Sequence, residues 1–133
     1  VALEDVHERN GCVYAVPGSN HVRLPQVPSE GTGRFHKKSD IAGVDISSAI
    51  PLPVRRGGFF LFDSWLLHCS GKNPETRSRL ALAINFIPPE VAVDPERARR
   101  RNPHYGVQLV KGHDSLELNS HAPPPRGTFE RRS

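Results

Sequence analysis

His68 and Arg79 stand eleven residues apart across the segment Leu67-His68-Cys69-Ser70-Gly71-Lys72-Asn73-Pro74, and they are the types that can hold a metal ion and a carboxylate. A neutral imidazole offers one ring-nitrogen lone pair to iron, and a guanidinium grips a carboxylate through two parallel hydrogen bonds. Alternation adds geometry. On a strand from Arg79 to Ile87, Arg79, Ala81, Ala83 and Asn85 share one face, and Leu80, Leu82, Ile84 and Phe86 the other. The leucine face suits a packed core, and the small polar face suits a cavity wall around one arginine. On the preceding strand, Leu66, His68 and Ser70 share a face opposite Trp65, Leu67 and Cys69. A turn over residues 71–76 could close the two strands as an antiparallel pair, with His68 and Arg79 facing one interior. Spacing alone leaves a second reading open: a hydrogen-bonded core histidine, and an arginine that is only surface charge.

The elements that must position these residues read as short strands and turns. Val1 to Asp5 is strand-like, Asn10-Gly11 is a turn signal, and Cys12 to Val16 is a second strand stopped by Pro17-Gly18. Residues 19–42 are polar and irregular and read as one long surface loop, a candidate lid. Val44 to Ile46 and Leu52 to Val54 are short strands, followed by the dense apolar stretch Phe59 to Leu67. Arg79 to Ile87, closed by Pro88-Pro89, is the longest clean strand pattern. Asp94 then reads as the N-cap of a short helix with Pro95 at its first position. The organisation that follows is a core over 1–93, a helix and extension over 94–118, and a disordered tail over 119–133. Short strands separated by turns predict an all-β sandwich or barrel.

Composition narrows the function classes. The chain has 133 residues, 36% of them hydrophobic, with 13 prolines, 11 glycines and a net charge of +4. The positive balance comes largely from Arg97, Arg99, Arg100, Arg101 and the tail arginines Arg126, Arg131 and Arg132, which read as solvated charge. No aromatic residues alternate with them, so a nucleic-acid platform is not expected. Cys12 and Cys69 make neither a disulfide framework nor a zinc site, and both read as buried free thiols in a reducing, cytoplasmic setting. No apolar run approaches membrane-spanning length. The chain opens on Val1 inside a strand and contains no methionine, which reads as a fragment of a longer protein.

Two blocks resemble the phytanoyl-CoA dioxygenase family. The first runs from Ala2-Leu3-Glu4-Asp5 through Asn10-Gly11-Cys12-Val13-Tyr14-Ala15-Val16-Pro17-Gly18-Ser19. The second runs from Gly57 through Asp63 and on through His68-Cys69-Ser70-Gly71-Lys72-Asn73 to Arg79. The resemblance spans roughly residues 1–90. It implies the C-terminal part of a double-stranded β-helix (a jelly roll, cupin-like) that lacks its first strands. It also implies dependence on Fe(II) and 2-oxoglutarate, with hydroxylation of a small organic or acyl substrate. By the same resemblance His68 is the distal iron ligand and Arg79 pairs with the C5 carboxylate of 2-oxoglutarate, with Arg77 the lesser candidate. Ser70 and Asn73 match positions that shape the turn beside the cosubstrate, and their alternative role is to stabilise that turn. Asn10, Gly11, Pro17 and Gly18 are taken as structural.

Two departures qualify the resemblance. Asn20, not histidine, follows Pro17-Gly18-Ser19, and His21 comes next. The family's His-x-Asp metal pair is also missing. None of His7, His21, His36, His68, His104, His113 or His121 is followed two residues later by an acid. Those ligands, with the N-terminal half of the domain, are expected upstream of Val1, and the chain alone is expected to be inactive. Two rivals stand beside this reading. One is a non-catalytic jelly-roll binding module or pseudo-enzyme; the other is a basic interaction domain using Arg99 to Arg101.

Overall fold

The computed structural model describes residues 1–29, 37–101 and 103–123. The chain divides into two compact units, Val1–Ile84 and Asn85–Ser133. The described residues are mostly extended, with five short strands and one short α-helix.

The first unit is organised by β1 (Val13–Ala15), which lies between β4 (Ile50–Leu52) and β5 (His68–Ser70), antiparallel to both. The registers are Val13 opposite Leu52 and Ser70, and Ala15 opposite Ile50 and His68. The turn into β1 is built by Asn10. Its side-chain oxygen accepts from the His7 N–H at 2.8 Å, and its amide nitrogen donates to the Asp5 carbonyl at 2.9 Å. This buried amide has a partner at each end, so its desolvation is offset.

Gly11 follows with φ 82, and a Cβ there would sit 2.6 Å from the Gly71 carbonyl oxygen. Gly71 in turn donates its N–H to the Cys12 carbonyl at 3.0 Å. Two glycines from the two sequence blocks thus let their backbones touch, which seats β5 beside β1. Cys12 is fully buried and forms the small core with Ala2 and Val6, against which Tyr14 and Val54 pack.

Several sequence expectations are corrected. Residues 19–42 are not one irregular loop: they carry a second, two-stranded sheet of β2 (Gln26–Pro28) and β3 (Lys37–Ser39), with residues 30–36 outside the described residues. Val44 to Ile46 is not a strand. Asp45 instead caps a 3-10 turn over Ile46–Ser48, accepting from the Ser47 N–H and hydroxyl, a local bond that competes with strand pairing. Those hydrogen bonds from Ser47 also lower the Asp45 pKa. β4 begins at Ile50, and Val54 makes an isolated bridge to Val6.

The Arg79 to Ile87 stretch is extended but paired only near Ala81, opposite Ala2. It does not pair with β5. Its partner is Val1 to Leu3, through Val1 N–H to Leu82 O, Leu82 N–H to Val1 O and Leu3 N–H to Leu80 O. The face expected to be core is open to solvent: Leu80 is 55% exposed, Leu82 51% and Ile84 55%. The alternation is real, but no second layer within the described residues lies over it. Cys69 is exposed rather than buried, because β5 is an edge strand whose three residues all lie open to solvent; Cys12 is buried as expected.

In the second unit, α1 (Pro95–Arg101) starts as the sequence predicts, with Asp94 Oδ1 accepting from the Arg97 N–H at 3.0 Å. Beyond residue 118 the chain is tied back as far as the described residues reach. Asn119 accepts from the Val93 N–H and donates to the Val91 carbonyl, and His121 Nε2 donates to Asp114 at 2.8 Å. Residues 124–133 of the expected tail lie outside the described residues. No described helix is long and apolar enough to cross a membrane.

Candidate functional site

His68 opens β5, and the approach to it is held from the first sequence block. The Ser19 hydroxyl donates to the Val16 carbonyl at 2.7 Å and accepts from the Leu67 N–H at 2.8 Å, while Val16 N–H donates to Leu67 O at 3.0 Å. Ser19 can make this bridge because Gly18 turns the chain with φ 75. On the other side, Asp63 accepts from the Trp65 N–H and its carbonyl accepts from Leu66 N–H, closing a tight turn before the strand.

The imidazole of His68 is fixed by its neighbours. Nδ1 lies 2.7 Å from the Leu66 carbonyl oxygen, and the ring centroid lies 4.6 Å from that of Phe62. A carbonyl can only accept, so Nδ1 carries the proton. In the neutral ring Nε2 then carries the lone pair, which is the arrangement of a metal-ligating histidine oriented by a backbone carbonyl. His68 borders an open cleft of about 330 Å³ lined by Leu24, Gln26 and Ser39 from the β2–β3 region and by residues 64–68. Arg79 is not among the residues that line it.

Arg79 shows a different peculiarity. From residue 72 to residue 84 it alone is half-buried, while every neighbour, apolar ones included, is exposed. Arg77 is turned outward and pairs with Glu4 at 3.1 Å, its side chain 81% exposed against 24% for the acid. It therefore serves as a surface ion-pair partner.

Ser70 ends β5, exposed, opposite Val13 and two residues from His68. Asn73 closes the following loop, donating to the Arg77 carbonyl at 2.9 Å and accepting from the Glu75 N–H at 3.0 Å. Its role is turn stabilisation. Ser19 and Glu4 are the positions that sequence reasoning passed over. The signal for both was membership of the first block, which explains their spacing but not what they touch.

His68 offers one imidazole lone pair, at Nε2. Among the described residues no three His, Cys, Asp or Glu side chains converge on one point.

The sequence profile described as phytanoyl-CoA dioxygenase matches residues 1–81, the whole segment that builds the β1 sheet and holds His68 and Arg79. The chain belongs to the phytanoyl-CoA dioxygenase family. It is 35% identical over 92 residues to the mouse phytanoyl-CoA dioxygenase domain-containing protein 1, covering 65% of this chain and 31% of that protein. It is 33% identical over 92 residues to rice phytanoyl-CoA dioxygenase 1, covering 68% of this chain and 32% of the rice protein. The zebrafish phytanoyl-CoA dioxygenase domain-containing protein 1 is 30% identical over 100 residues, 70% of this chain and 33% of that protein. The chain thus spans about a third of the length of these family members. No solved structure gives a significant match.

Proposed function

We propose that this chain supplies the C-terminal part of the catalytic core of an Fe(II)/2-oxoglutarate-dependent oxygenase, with a jelly-roll architecture completed by further polypeptide. The observation that carries this is the tautomer of His68, whose Nε2 lone pair is freed by the Leu66 carbonyl within a family-matching segment. In this reading His68 is one metal ligand, and the iron, when bound, supplies oxygen activation. Arg79 holds the distal carboxylate of 2-oxoglutarate, and Ser70 borders the same cosubstrate. The β2–β3 region, which already edges the His68 cleft, acts as a lid that keeps water from the reacting centre. The substrate is a small organic or acyl molecule, and the setting is cytoplasmic.

The direct experiment is anaerobic loading with Fe(II) followed by 2-oxoglutarate decarboxylation, on the natural full-length polypeptide and on the 133-residue chain in parallel. Succinate release by the former and none by the latter is expected. Tight iron binding and succinate release by the 133-residue chain alone would overturn the incomplete-site reading. A second reading is a binding module or pseudo-enzyme that kept the pocket, and it rests on the absence of a three-donor cluster among the described residues. Full-length protein that binds 2-oxoglutarate but no iron would favour it.

A further inference from the structure

We infer that Glu4 is a positioning residue that sets Arg79 for carboxylate binding, an inference that rests on the oxygenase reading. Val1 pairs with Leu82 through reciprocal N–H to carbonyl bonds, and in an antiparallel ladder the next such pair is Leu3 with Leu80. Only half of that pair is made by backbone: Leu3 N–H donates to the Leu80 carbonyl at 3.1 Å. The Leu80 N–H instead donates to Glu4 Oε2, also at 3.1 Å. The other oxygen of the same carboxylate, Oε1, accepts from Arg77 Nε at 3.3 Å and Nη2 at 3.1 Å.

One carboxylate therefore holds the residue after Arg79 by its backbone and the residue two before it by its side chain. The ladder ends at this point, so residues 77–79 leave the strand direction under the control of a side chain. Arg79 is the one residue of that stretch that is half-buried rather than exposed. Glu4 is itself mostly shielded, and a hydrogen bond from an amide to an ionised acceptor is stronger than one between neutral groups. The Arg77 contact, open to water, contributes less. Glu4 does not touch the cosubstrate; it fixes the peptide from which Arg79 projects.

The test uses the natural full-length polypeptide and 2-oxoglutarate itself, under anaerobic conditions, with succinate as a control ligand. Glu4→Ala is expected to weaken 2-oxoglutarate binding about tenfold, the loss of a hydrogen bond to a charged acceptor. It should raise KM for 2-oxoglutarate with kcat nearly kept. Glu4→Gln, which retains an acceptor for the Leu80 N–H, should recover part of the loss, and Arg77→Ala should weaken binding less than Glu4→Ala does. Hydrogen exchange on the wild-type protein gives a readout that needs no variant: the Leu80 amide should gain protection when 2-oxoglutarate binds. A Glu4→Ala protein with lowered Tm but wild-type affinity would reduce Glu4 to a structural brace and overturn the proposal. So would an unchanged Leu80 exchange rate, which also decides the matter if Glu4→Ala fails to fold. Wild-type protein that takes up no 2-oxoglutarate would overturn the oxygenase reading itself.

Discussion

The strand that carries His68 and the segment that carries Arg79 look alike as sequence, yet the fold holds them by different means. β5 sits in a backbone ladder beside β1, and its start is further braced by the Ser19 hydroxyl. The Arg79 segment has one bridge, at Ala81, and then hangs on the Glu4 carboxylate. A ladder shares its geometry over several peptide groups, so the backbone placement of His68 survives the loss of any single contact. A side-chain clamp concentrates the geometry of Arg79 in one group. Under the proposed function His68 needs the first kind of support, because a metal ligand's direction must be held closely, whereas a guanidinium that meets a mobile cosubstrate tolerates the second.

The contrast can be broken most severely at His68. His68→Ala in the full-length protein is expected to lower 2-oxoglutarate turnover by at least about 100-fold, beyond the usual loss from an outer-shell partner. Retention of most of the wild-type turnover would remove the histidine from the site.

The ladder itself is tested at Gly11. Gly11→Ala should destabilise the protein by about 2–4 kcal/mol, since it adds the cost of a left-handed conformation to a clash with the Gly71 carbonyl. Gly57→Ala has φ 82 as well but open space around it, and should cost only about 1 kcal/mol. Equal costs in chemical denaturation would mean that the Gly11–Gly71 approach does not seat β5.

A smaller effect is expected at Ser19, where Ser19→Ala removes two hydrogen bonds at the edge of the sheet, worth about 1–2 kcal/mol together. Faster exchange of the Leu67 amide would be the local signature, and an unchanged rate would exclude the brace.

The mildest test is of the C-terminal unit, where side chains again do the holding. The hydrogen bond from His121, then those from the Glu117 and Leu116 amides, keep the Asp114 carboxyl below the ordinary carboxylate range despite its partial burial. A pKa lowered by folding adds stability that is full above the unfolded value of about 3.9 and is lost as pH falls through the lowered folded value. The Leu116 and Glu117 amide resonances should therefore stay native through pH 4 and move only below it. Movement centred at the ordinary carboxylate value would show that these contacts do not hold Asp114.

Local chemistry was legible in the sequence, and so was the family. The Asn10-Gly11 turn, the stop at Pro17-Gly18 and the Asp94-Pro95 helix start each depend on residues adjacent in the chain, and each is present. His68 and Arg79 could be named from residue type and a family resemblance. Alternation over the 79–87 stretch overstated the strand and misjudged its burial.

What the sequence alone determined was therefore the family and where the chain turns. Only the tertiary structure decided which segments pair: β5 with β1 rather than with the stretch after it, and Leu80 to Leu82 with the first three residues. It alone showed that Glu4 completes a broken rung beside Arg79 and that the Leu66 carbonyl sets the tautomer of His68. The reason is physical. Alternation and turn propensity act between neighbours in the chain, whereas a strand's partner is chosen by hydrogen bonds and burial between residues up to 81 positions apart.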